Sequence, residues 1–324
     1  MKILITGGAG YIGSIVSEYC IQAGDEVVVY DNLSTGHRES VHDDALFVRG
    51  DVGDRELAAA TMKQQSIDAV IHMAGFIEAG ESMRDPGRYF RNNTCRPLEL
   101  LEAMVDAGVH RILFSSTAAV YGNPQTEILR EDHPLNPTNA YGESKLQFER
   151  LLDWYERIYD IRHAALRYFN AAGATAARGE DHRPESHLIP LVLQTALGQR
   201  RSVTIFGTDY PTGDGTCIRD YVHVVDLAQA HIKALGSLVD QSLHYNLGNG
   251  RGYSVREVID AARRVTGIDV AVEEAPRRPG DAAVLVAGAG RIAADLGWKP
   301  EHPTLEAIIA SAWQWHRENP QGYG

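Results

Sequence analysis

The sequence predicts an α/β fold built on a doubly wound parallel sheet, with a smaller C-terminal lobe made of discontinuous segments. In the first half of the chain, short apolar runs alternate with stretches of helical periodicity, the order found in strand–helix–strand units with parallel strands. The run Ala69–Ile71 is continuously apolar, as expected for a strand that is buried on both faces. A glycine-rich turn separates the first apolar run from the first helical stretch. These observations together predict the fold class.

The elements of the first half follow in order along the chain. The apolar runs are the candidate strands Ile3–Ile5, Val27–Tyr30, Leu46–Arg49, Ala69–Met73, Ile112–Ser115 and Ala164–Tyr168. The stretches with helical spacing are Ile12–Ala23, Glu56–Gln64, Asn92–Ala107 and Tyr141–Tyr159. Strands joined through helices pair in parallel, with right-handed crossovers. Pro97 falls inside the third of these helices, so we expect a kink there or a later helix start.

The pattern changes after Asn170. Residues 171–190 are rich in Ala, Gly, Arg and His without clear periodicity, which predicts a loop. From Leu188 onward we expect helices at Leu188–Leu197, Val225–Leu235 and Ser254–Val265, and a strand at Tyr245–Leu247. Glu257 follows three residues after Ser254, which predicts a capping box at the start of the last of these helices.

Composition excludes several classes of protein. The 324 residues carry a net charge of −12 without a basic stripe, which argues against nucleic-acid binding. Cys20, Cys95 and Cys217 are odd in number and far apart, so we expect reduced thiols rather than disulfides, and no metal site. The N-terminal apolar run is too short for a signal peptide, and no run approaches the ~18 apolar residues of a membrane helix. We therefore expect a soluble cytoplasmic protein that does not associate with membranes.

The turn after the first strand carries a variant of the dinucleotide-binding fingerprint. Its glycines Gly7, Gly10 and Gly13 stand three residues apart and open the first helix. Glycines at such positions allow a tight turn, close approach of the backbone to a pyrophosphate and close helix–strand packing. The N-terminus of the helix attracts the negative charge. The strand–turn–helix context therefore predicts a Rossmann-type site.

Two carboxylates follow the next two strands. Asp31 is placed to accept hydrogen bonds from the adenosine ribose and to repel a 2′-phosphate, which favours NAD over NADP. The alternative is a turn aspartate with no ligand. Asp51 is placed to reach the adenine, although capping of the following helix would account for it equally well.

Tyr141 and Lys145 form the candidate acid/base pair. Their spacing places a phenol and an ammonium about one turn apart on one helix face. The alternative is a surface tyrosine and a surface lysine with no catalytic role. A phenol ionises near pH ~10, and a cation within ~4–6 Å favours the phenolate, so we expect a lowered pKa for Tyr141. Ser115–Thr117 closes a strand at the edge where such sheets bind ligands. A hydroxyl there would bond to Tyr141 or to a substrate oxygen, and the alternative is an ordinary Ser/Thr-rich turn.

Together these motifs resemble those of the extended short-chain dehydrogenase/reductase superfamily. The second half of the chain is similar to one branch, the UDP-glucose (galactose) 4-epimerases, through Leu166–Asn170, His187–Pro190, Ile205–Pro211, Gly215–His223, Tyr245–Gly250 and Arg277–Asp281. The resemblance implies an NAD-dependent isomerase that interconverts UDP-galactose and UDP-glucose through transient oxidation at C4. It also implies a homodimer, with Asn92–Ala107 and Tyr141–Tyr159 as a helical interface.

The resemblance assigns a role to each matching position. The implied catalytic residues are Thr117, Tyr141 and Lys145. The implied cofactor-binding residues are Gly7, Gly10, Tyr11, Ile12, Gly13, Asp31, Asn32, Leu33, Ser34, Thr35, Gly36, Asp51, Val52, Met73, Ala74, Gly75, Asn93, Ser115, Tyr141, Lys145 and Phe169. The implied substrate-binding residues are Thr117, Asn170, His187, Leu188, Ile205, Phe206, Arg219, Tyr221, Arg278 and Asp281. Residues 1–168 with about 219–247 would bind NAD, and residues 169–218 with 248–324 would bind the UDP-sugar.

Some positions depart from common family patterns. Ile77 stands where lysine is frequent, His187 replaces an asparagine of some members, and Thr117 replaces a serine while keeping the hydroxyl. A size-filter position in the sugar pocket falls at about Leu285, which predicts partial tolerance of N-acetylated sugars.

Three alternatives to this activity stay open. One is an epimerase of another nucleotide sugar, such as UDP-glucuronate or a UDP-N-acetylhexosamine. A 4,6-dehydratase is disfavoured because Ala118 and Ala119 stand where that family places carboxylates. A silent NAD-binding sensor is disfavoured because the Tyr141/Lys145 pair is kept.

Overall fold

The computed structural model describes residues 1–238, 241–278 and 281–324. Its strands are β1 (Lys2–Thr6), β2 (Glu26–Asp31), β3 (Leu46–Arg49), β4 (Ala69–His72), β5 (Arg111–Thr117), β6 (Arg162–Tyr168), β7 (Asn170–Ala172), β8 (Val203–Phe206), β9 (Ile218–His223), β10 (Leu243–Leu247), β11 (Gly252–Ser254), β12 (Val272–Ala275) and β13 (Val284–Leu285). Its α-helices are α1 (Tyr11–Gln22), α2 (Arg55–Gln65), α3 (Ala79–Ser82), α4 (Pro86–Phe90), α5 (Arg96–Ala107), α6 (Ala140–Tyr159), α7 (Leu188–Ala196), α8 (Val224–Ser237), α9 (Val255–Thr266), α10 (Gly290–Leu296) and α11 (Leu305–Glu318). Pro279 and Gly280, part of the motif Arg277–Asp281, lie outside the described residues.

The large sheet is parallel, as predicted. Within the described residues its strand order is β10-β6-β5-β4-β1-β2-β3. The chain builds outward from β1 in one direction through β3, then returns to β4 and builds outward in the other. The order therefore reverses between β1 and β4. In open α/β sheets, ligands bind beyond the carboxyl ends of the strands at this point.

Alternation along β1 separates the two faces of the sheet. Ile3 and Ile5 face one core, which α1 and α8 cover, and Leu4 faces a second core shared with α2, α5 and α6. Each of these three β1 side chains is fully buried. Burial on both faces explains why β1 and β4 read as continuous apolar runs, and it confirms the doubly wound arrangement.

A smaller lobe packs around a third core. Helices α7, α9 and α11 enclose residues of β8 and β9, including Ile205 and Tyr221. Strand β9 pairs with β7, β11 and β13, and β8 pairs with β12. Ser254 caps α9, and its reciprocal hydrogen bonds with Glu257 confirm the predicted capping box.

Pro97 marks a helix start, one of the two predicted outcomes. It lies in the first turn of α5, where the N–H that proline lacks would have no partner within the helix. The preceding residues, Arg91–Cys95, form a π-helical segment that joins α4 to α5. The wider turn places Asn93 inward, where its side chain is buried.

No α-helix in the part of the chain that the structure describes is long and apolar enough to cross a bilayer.

Candidate active site

The glycine turn lies at the point where the sheet order reverses. Gly7 has φ +72°, and a Cβ there would lie 2.5 Å from the Ala74 backbone nitrogen. A Cβ on Gly13 would lie 2.2 Å from the Gly7 carbonyl oxygen, so the helix approaches the turn more closely than a side chain permits. Gly10 precedes α1 without a side-chain cap, which leaves the first N–H groups of the helix available. This geometry suits a bound pyrophosphate.

Asp31 ends β2 beside this turn. Its Oδ2 accepts a hydrogen bond from the Ala9 N–H (3.0 Å) and its Oδ1 accepts one from the Leu33 N–H (2.8 Å). Burial raises the pKa of the Asp31 carboxyl, while these two backbone donors lower it in part. The carboxylate therefore fixes the loop 31–36 against the glycine turn, and each oxygen keeps a further lone pair for a ribose hydroxyl.

Asp51 does not cap the following helix, so that alternative is wrong. Asp54 is the N-cap of α2, and its side chain accepts the Leu57 N–H. Asp51 instead accepts hydrogen bonds from the Gly53 N–H and the Asn32 side-chain amide, each at 2.9 Å. The structure thus joins two predicted adenosine-binding residues, Asn32 and Asp51.

The segment after β4 lies between the cofactor turn and α6. Asn93 bonds to both backbone groups of Phe76 (2.9 Å each) and donates to the Ser144 hydroxyl (3.2 Å). A Cβ on Gly75 would lie 3.1 Å from Lys145 Nζ. Met73, Ala74 and Gly75 therefore lie between the glycine turn and Lys145. Ile77, which stands in place of a lysine, is 38% exposed.

The candidate catalytic residues meet at the carboxyl end of β5. Asn139 caps α6 through the Gly142 N–H (2.8 Å), and a Cβ on Gly142 would lie 2.6 Å from the Ala119 carbonyl oxygen. This close contact brings the Tyr141 side chain beside Thr117. Lys145 Nζ donates to the Ser115 carbonyl oxygen at 2.9 Å.

The predicted lowering of the Tyr141 pKa is wrong. Burial raises the pKa of the phenol above its usual value, and the neighbouring Thr117 hydroxyl reverses only part of that rise. Burial also lowers the pKa of Lys145 to about 8. The spacing of the pair is as predicted, but the Lys145 ammonium donates to Ser115 rather than acting on the phenol, which sequence spacing does not reveal.

The predicted sugar and nucleotide contacts lie on β7, β9 and the segments beside them. Asn170 pairs with Tyr221, and Leu285 pairs with Arg219. Arg219 donates to the Asp281 carboxylate at 2.8 Å. The remaining predicted residues lie around them. Phe169 and Ile205 are buried, and the Arg278 guanidinium lies 4.0 Å from the centre of the Phe206 ring.

His187 and Leu188 stand at the start of α7. His187 Nδ1 lies 2.7 Å from Glu180 Oε1 and 3.3 Å from Glu185 Oε1. Burial alone would lower the pKa of His187, but the two carboxylates outweigh it and hold that pKa well above its usual value. With Nδ1 facing the carboxylates, Nε2 is the ring atom left to donate to a substrate.

Sequence reasoning missed two groups of residues at this site. Glu149 and Arg167 form a buried ion pair below Lys145, and Glu180, His182 and Glu185 surround His187. The spacing of the second group, Glu-x-His-x-x-Glu-x-His, is visible in residues 180–187 and would have been a usable signal. Glu149 and Arg167 lie on different elements, so no local pattern connects them.

Comparison with known proteins gives consistent matches. The model of the NAD dependent epimerase/dehydratase family matches residues 3–248. A UDP-glucose 4-epimerase of Halalkalibacterium halodurans is 49% identical over 100% of this chain and 98% of its own length. A crystal structure of a UDP-glucose 4-epimerase superimposes with a TM-score of 0.97 at 48% identity and covers 100% of both chains. The enzyme of Stenotrophomonas maltophila, with bound NAD and formylated UDP-arabinopyranose, gives a TM-score of 0.95 at 41% identity over 99% of both chains.

Proposed function

Because this chain belongs to the NAD-dependent epimerase/dehydratase family, we propose that it interconverts UDP-galactose and UDP-glucose by inverting C4 of the sugar. Its cofactor is NAD. One observation within the site carries the proposal, namely that Tyr141 lies beside Thr117 and one helical turn before Lys145 at the carboxyl end of β5. Residues 1–168 with about 219–247 would bind NAD, and residues 169–218 with 248–324 would bind the UDP-sugar.

The chain's own residues account for the binding of both partners. The open α1 N-terminus and Asp31 suit the pyrophosphate and adenosine of NAD, and Lys145 suits its nicotinamide ribose. Arg219 and Arg278 suit the substrate diphosphate because guanidinium groups bind phosphate oxygens in a bidentate fashion. Asp281 orients Arg219 and would also accept a hydroxyl of the uridine ribose.

Tyr141 is the proposed acid/base residue. We assign it to remove the proton of the sugar 4-hydroxyl and to return a proton to the same oxygen after the 4-keto sugar has presented its opposite face. Thr117 lies beside the phenol, and a hydrogen bond from its hydroxyl would favour the ionised form of Tyr141, which burial opposes. NAD, when bound in its oxidised form, would supply a hydride acceptor for C4.

Proton NMR of the purified protein with UDP-galactose and no added cofactor tests the activity. We expect UDP-glucose to form and to settle at an equilibrium mixture, because the cofactor is regenerated in every turnover and need not leave the protein. Persistence of UDP-galactose alone, even after NAD is supplied, would contradict the proposed substrate. Conversion of UDP-glucuronate instead would favour the uronate alternative.

Leu285 supports a broader substrate range in the same assay. It is half-buried beside Arg219 and packs against the cluster that contains Phe169, at the sugar end of the site. Its side chain is smaller than that of tyrosine, so we expect UDP-N-acetylgalactosamine to react more slowly than UDP-galactose but measurably. A Leu285→Tyr variant should selectively lose activity on the N-acetylated substrate. A negligible wild-type rate on that substrate would refute the proposed broader substrate range.

We also infer a homodimer that uses α6. Trp154 is 57% exposed and Ile158 is 64% exposed one turn later on the same helix, an arrangement more typical of an interface than of a free surface. Sedimentation should give twice the chain mass for the wild type, and a Trp154→Glu/Ile158→Glu double variant should sediment as a single chain. Met83→Glu, at a residue that is 55% exposed and directly follows α3, should stay dimeric. A wild type of single-chain mass would contradict the dimer.

We place the protein in the cytoplasm. All three cysteines are free thiols, and two of them, Cys20 and Cys217, are buried, which suits a reducing compartment.

A further inference from the structure

The loop between β7 and α7 brings four metal-ligating side chains together. Glu180, His182, Glu185 and His187 each offer one ligand atom, and these atoms all lie within 4.8 Å of one another. Glu180 is buried, and the other three are half-buried. They come from eight consecutive residues at the edge of the candidate active site, and neither the NAD site nor the proton-transfer residues include Glu180, His182 or Glu185.

Four of the distances within this group lie near the edge length of a coordination tetrahedron. Bonds of about 2.0–2.1 Å from zinc to nitrogen and oxygen place neighbouring ligand atoms about 3.3 Å apart. Glu180 Oε1 lies 3.1 Å from His182 Nδ1 and 2.7 Å from His187 Nδ1. Glu185 lies 3.3 Å from His187 Nδ1 through Oε1 and 3.8 Å from His182 Nδ1 through Oε2. The four side chains therefore need only small shifts to surround one ion.

The orientation of the two imidazoles differs from that of a hydrogen-bonded ion pair. Both Nδ1 atoms are shielded from solvent, and neither has a hydrogen-bond partner of acceptable geometry among the described residues. Each nevertheless lies close enough to Glu180 Oε1 for a hydrogen bond, so the angle rather than the distance is wrong. Buried polar atoms without partners are rare, and a bound ion is one of their ordinary explanations.

Charge and supporting contacts also suit a divalent cation. Two carboxylates and two neutral imidazoles carry a charge of −2, which one divalent ion neutralises without any protonated histidine. The Glu185 carboxylate is fixed because its Oε1 accepts the N–H groups of Ser186 (2.7 Å) and His187 (2.8 Å). Backbone hydrogen bonds of this kind orient ligands at metal sites.

We propose that Glu180, His182, Glu185 and His187 bind one divalent transition-metal ion of the zinc class. A site with four protein ligands of nitrogen and oxygen is closed and structural. The ion closes residues 180–187 into a ring and fixes the start of α7, where His187 and Leu188 stand. This assignment goes beyond the proposed epimerase activity and does not rest on it. It departs from the sequence expectation of no metal site, which considered cysteine ligands.

A second cluster in the chain provides an internal comparison. Asp153, His163 and His244 also lie within 4.8 Å of one another, at the far end of β6 and β10 from the candidate active site. This group offers three ligands, and the Asp153 side chain is 45% exposed. It gives matched His and Asp substitutions that leave the four-ligand loop intact.

Metal analysis of the full-length protein, with any affinity tag removed, tests the proposal. We expect about one zinc per chain by plasma mass spectrometry, and below about a tenth of that in a Glu180→Gln/His182→Ala double variant. Asp153→Asn/His244→Ala, the matched control, should keep the full content. Loss of the ion from the control with retention in the loop variant would overturn the assignment.

Titration of chelator-stripped wild type decides the question even if the loop variant fails to fold. Added Zn²⁺ should bind at one equivalent and raise the melting temperature, since an ion that binds only the folded chain stabilises it. Co²⁺ should give the intense visible bands of a tetrahedral site. Stripped wild type that takes up neither Zn²⁺ nor Co²⁺ at stoichiometric protein concentration would show that these residues form no metal site.

Discussion

A Tyr141→Phe variant is expected to lose about 10²–10⁴-fold in kcat, the usual contribution of a positioned acid/base. The substitution keeps the aromatic ring, including its edge contact with Tyr89 at 6.5 Å between ring centres. It removes the hydroxyl that would exchange a proton with the sugar. KM for UDP-galactose should change little, since substrate binding is assigned to other residues. The NMR assay measures turnover.

Tyr89→Phe is the matched control for this prediction. It removes the same atom from a neighbouring buried tyrosine, whose hydroxyl donates to Glu81 (2.9 Å) and takes no part in the proposed chemistry. We expect near wild-type turnover for it. Near-normal turnover of Tyr141→Phe would instead show that another group carries the proton.

The pH profile separates a chemical role of Tyr141 from a structural one. The neighbouring Thr117 hydroxyl lowers the pKa of Tyr141, so Thr117→Val should raise that pKa. Less phenolate is then present at neutral pH, and the acid limb of the kcat profile should move to higher pH. A reduction in kcat without a change in the profile would assign Thr117 to packing alone.

The parallel sheet was predictable because its signal is local. Each of the seven predicted strands of the large sheet agrees with the structure to within two residues at both ends, as with Leu46–Arg49. Strands buried on both faces must be apolar throughout, whatever they pair with. The strands of the small lobe carry no such signal. Gly252–Ser254 is three residues long, and it is ordered by pairing with β9, more than thirty residues earlier in the chain.

The site was predictable where the chemistry follows helical or turn spacing. The glycine turn, Asp31 and the Tyr141/Lys145 pair lie where the sequence predicts. The pKa of Tyr141 was not predictable, because spacing fixes the helix face but not the acceptor that Lys145 Nζ chooses. Likewise, the contacts of Glu180 and Glu185 with His187 depend on the path of a loop that has no periodicity.

The buried ion pair between Glu149 and Arg167 was not predictable either, because no local spacing links the two residues. Glu149 lies on α6 one turn after Lys145, and Arg167 lies on β6. Their side chains are 3% and 4% exposed, and Arg167 donates twice to the carboxylate, at 2.7 and 3.1 Å. Ser116 on β5 donates to the same carboxylate at 2.5 Å. One charged group thus ties the helix that carries Tyr141 and Lys145 to both strands beneath it.

Glu149→Ala is expected to lower the free energy of unfolding by about 3–5 kcal/mol, because it leaves a buried guanidinium without its counter-charge. Burial opposes the charged form of Arg167, and Glu149 outweighs it, so the pKa of the guanidinium lies above its usual value. The remaining acceptors, the Tyr121 hydroxyl at 3.0 Å and the Glu131 carbonyl oxygen at 3.5 Å, are both neutral. Chemical denaturation followed by circular dichroism measures the loss.

Two further variants make this stability prediction specific. Glu149→Gln keeps the shape and one acceptor oxygen, so its loss should be smaller than that of Glu149→Ala. Glu306→Ala breaks a surface pair with Arg264, whose side chains are 52% and 62% exposed, and should cost less than about 1 kcal/mol. Equal losses in Glu149→Ala and Glu306→Ala would mean that burial adds nothing to the value of the ion pair. A large loss of unfolding free energy only in the Glu149 variants would show that the packing of α6, which carries the catalytic residues, depends on one buried charge.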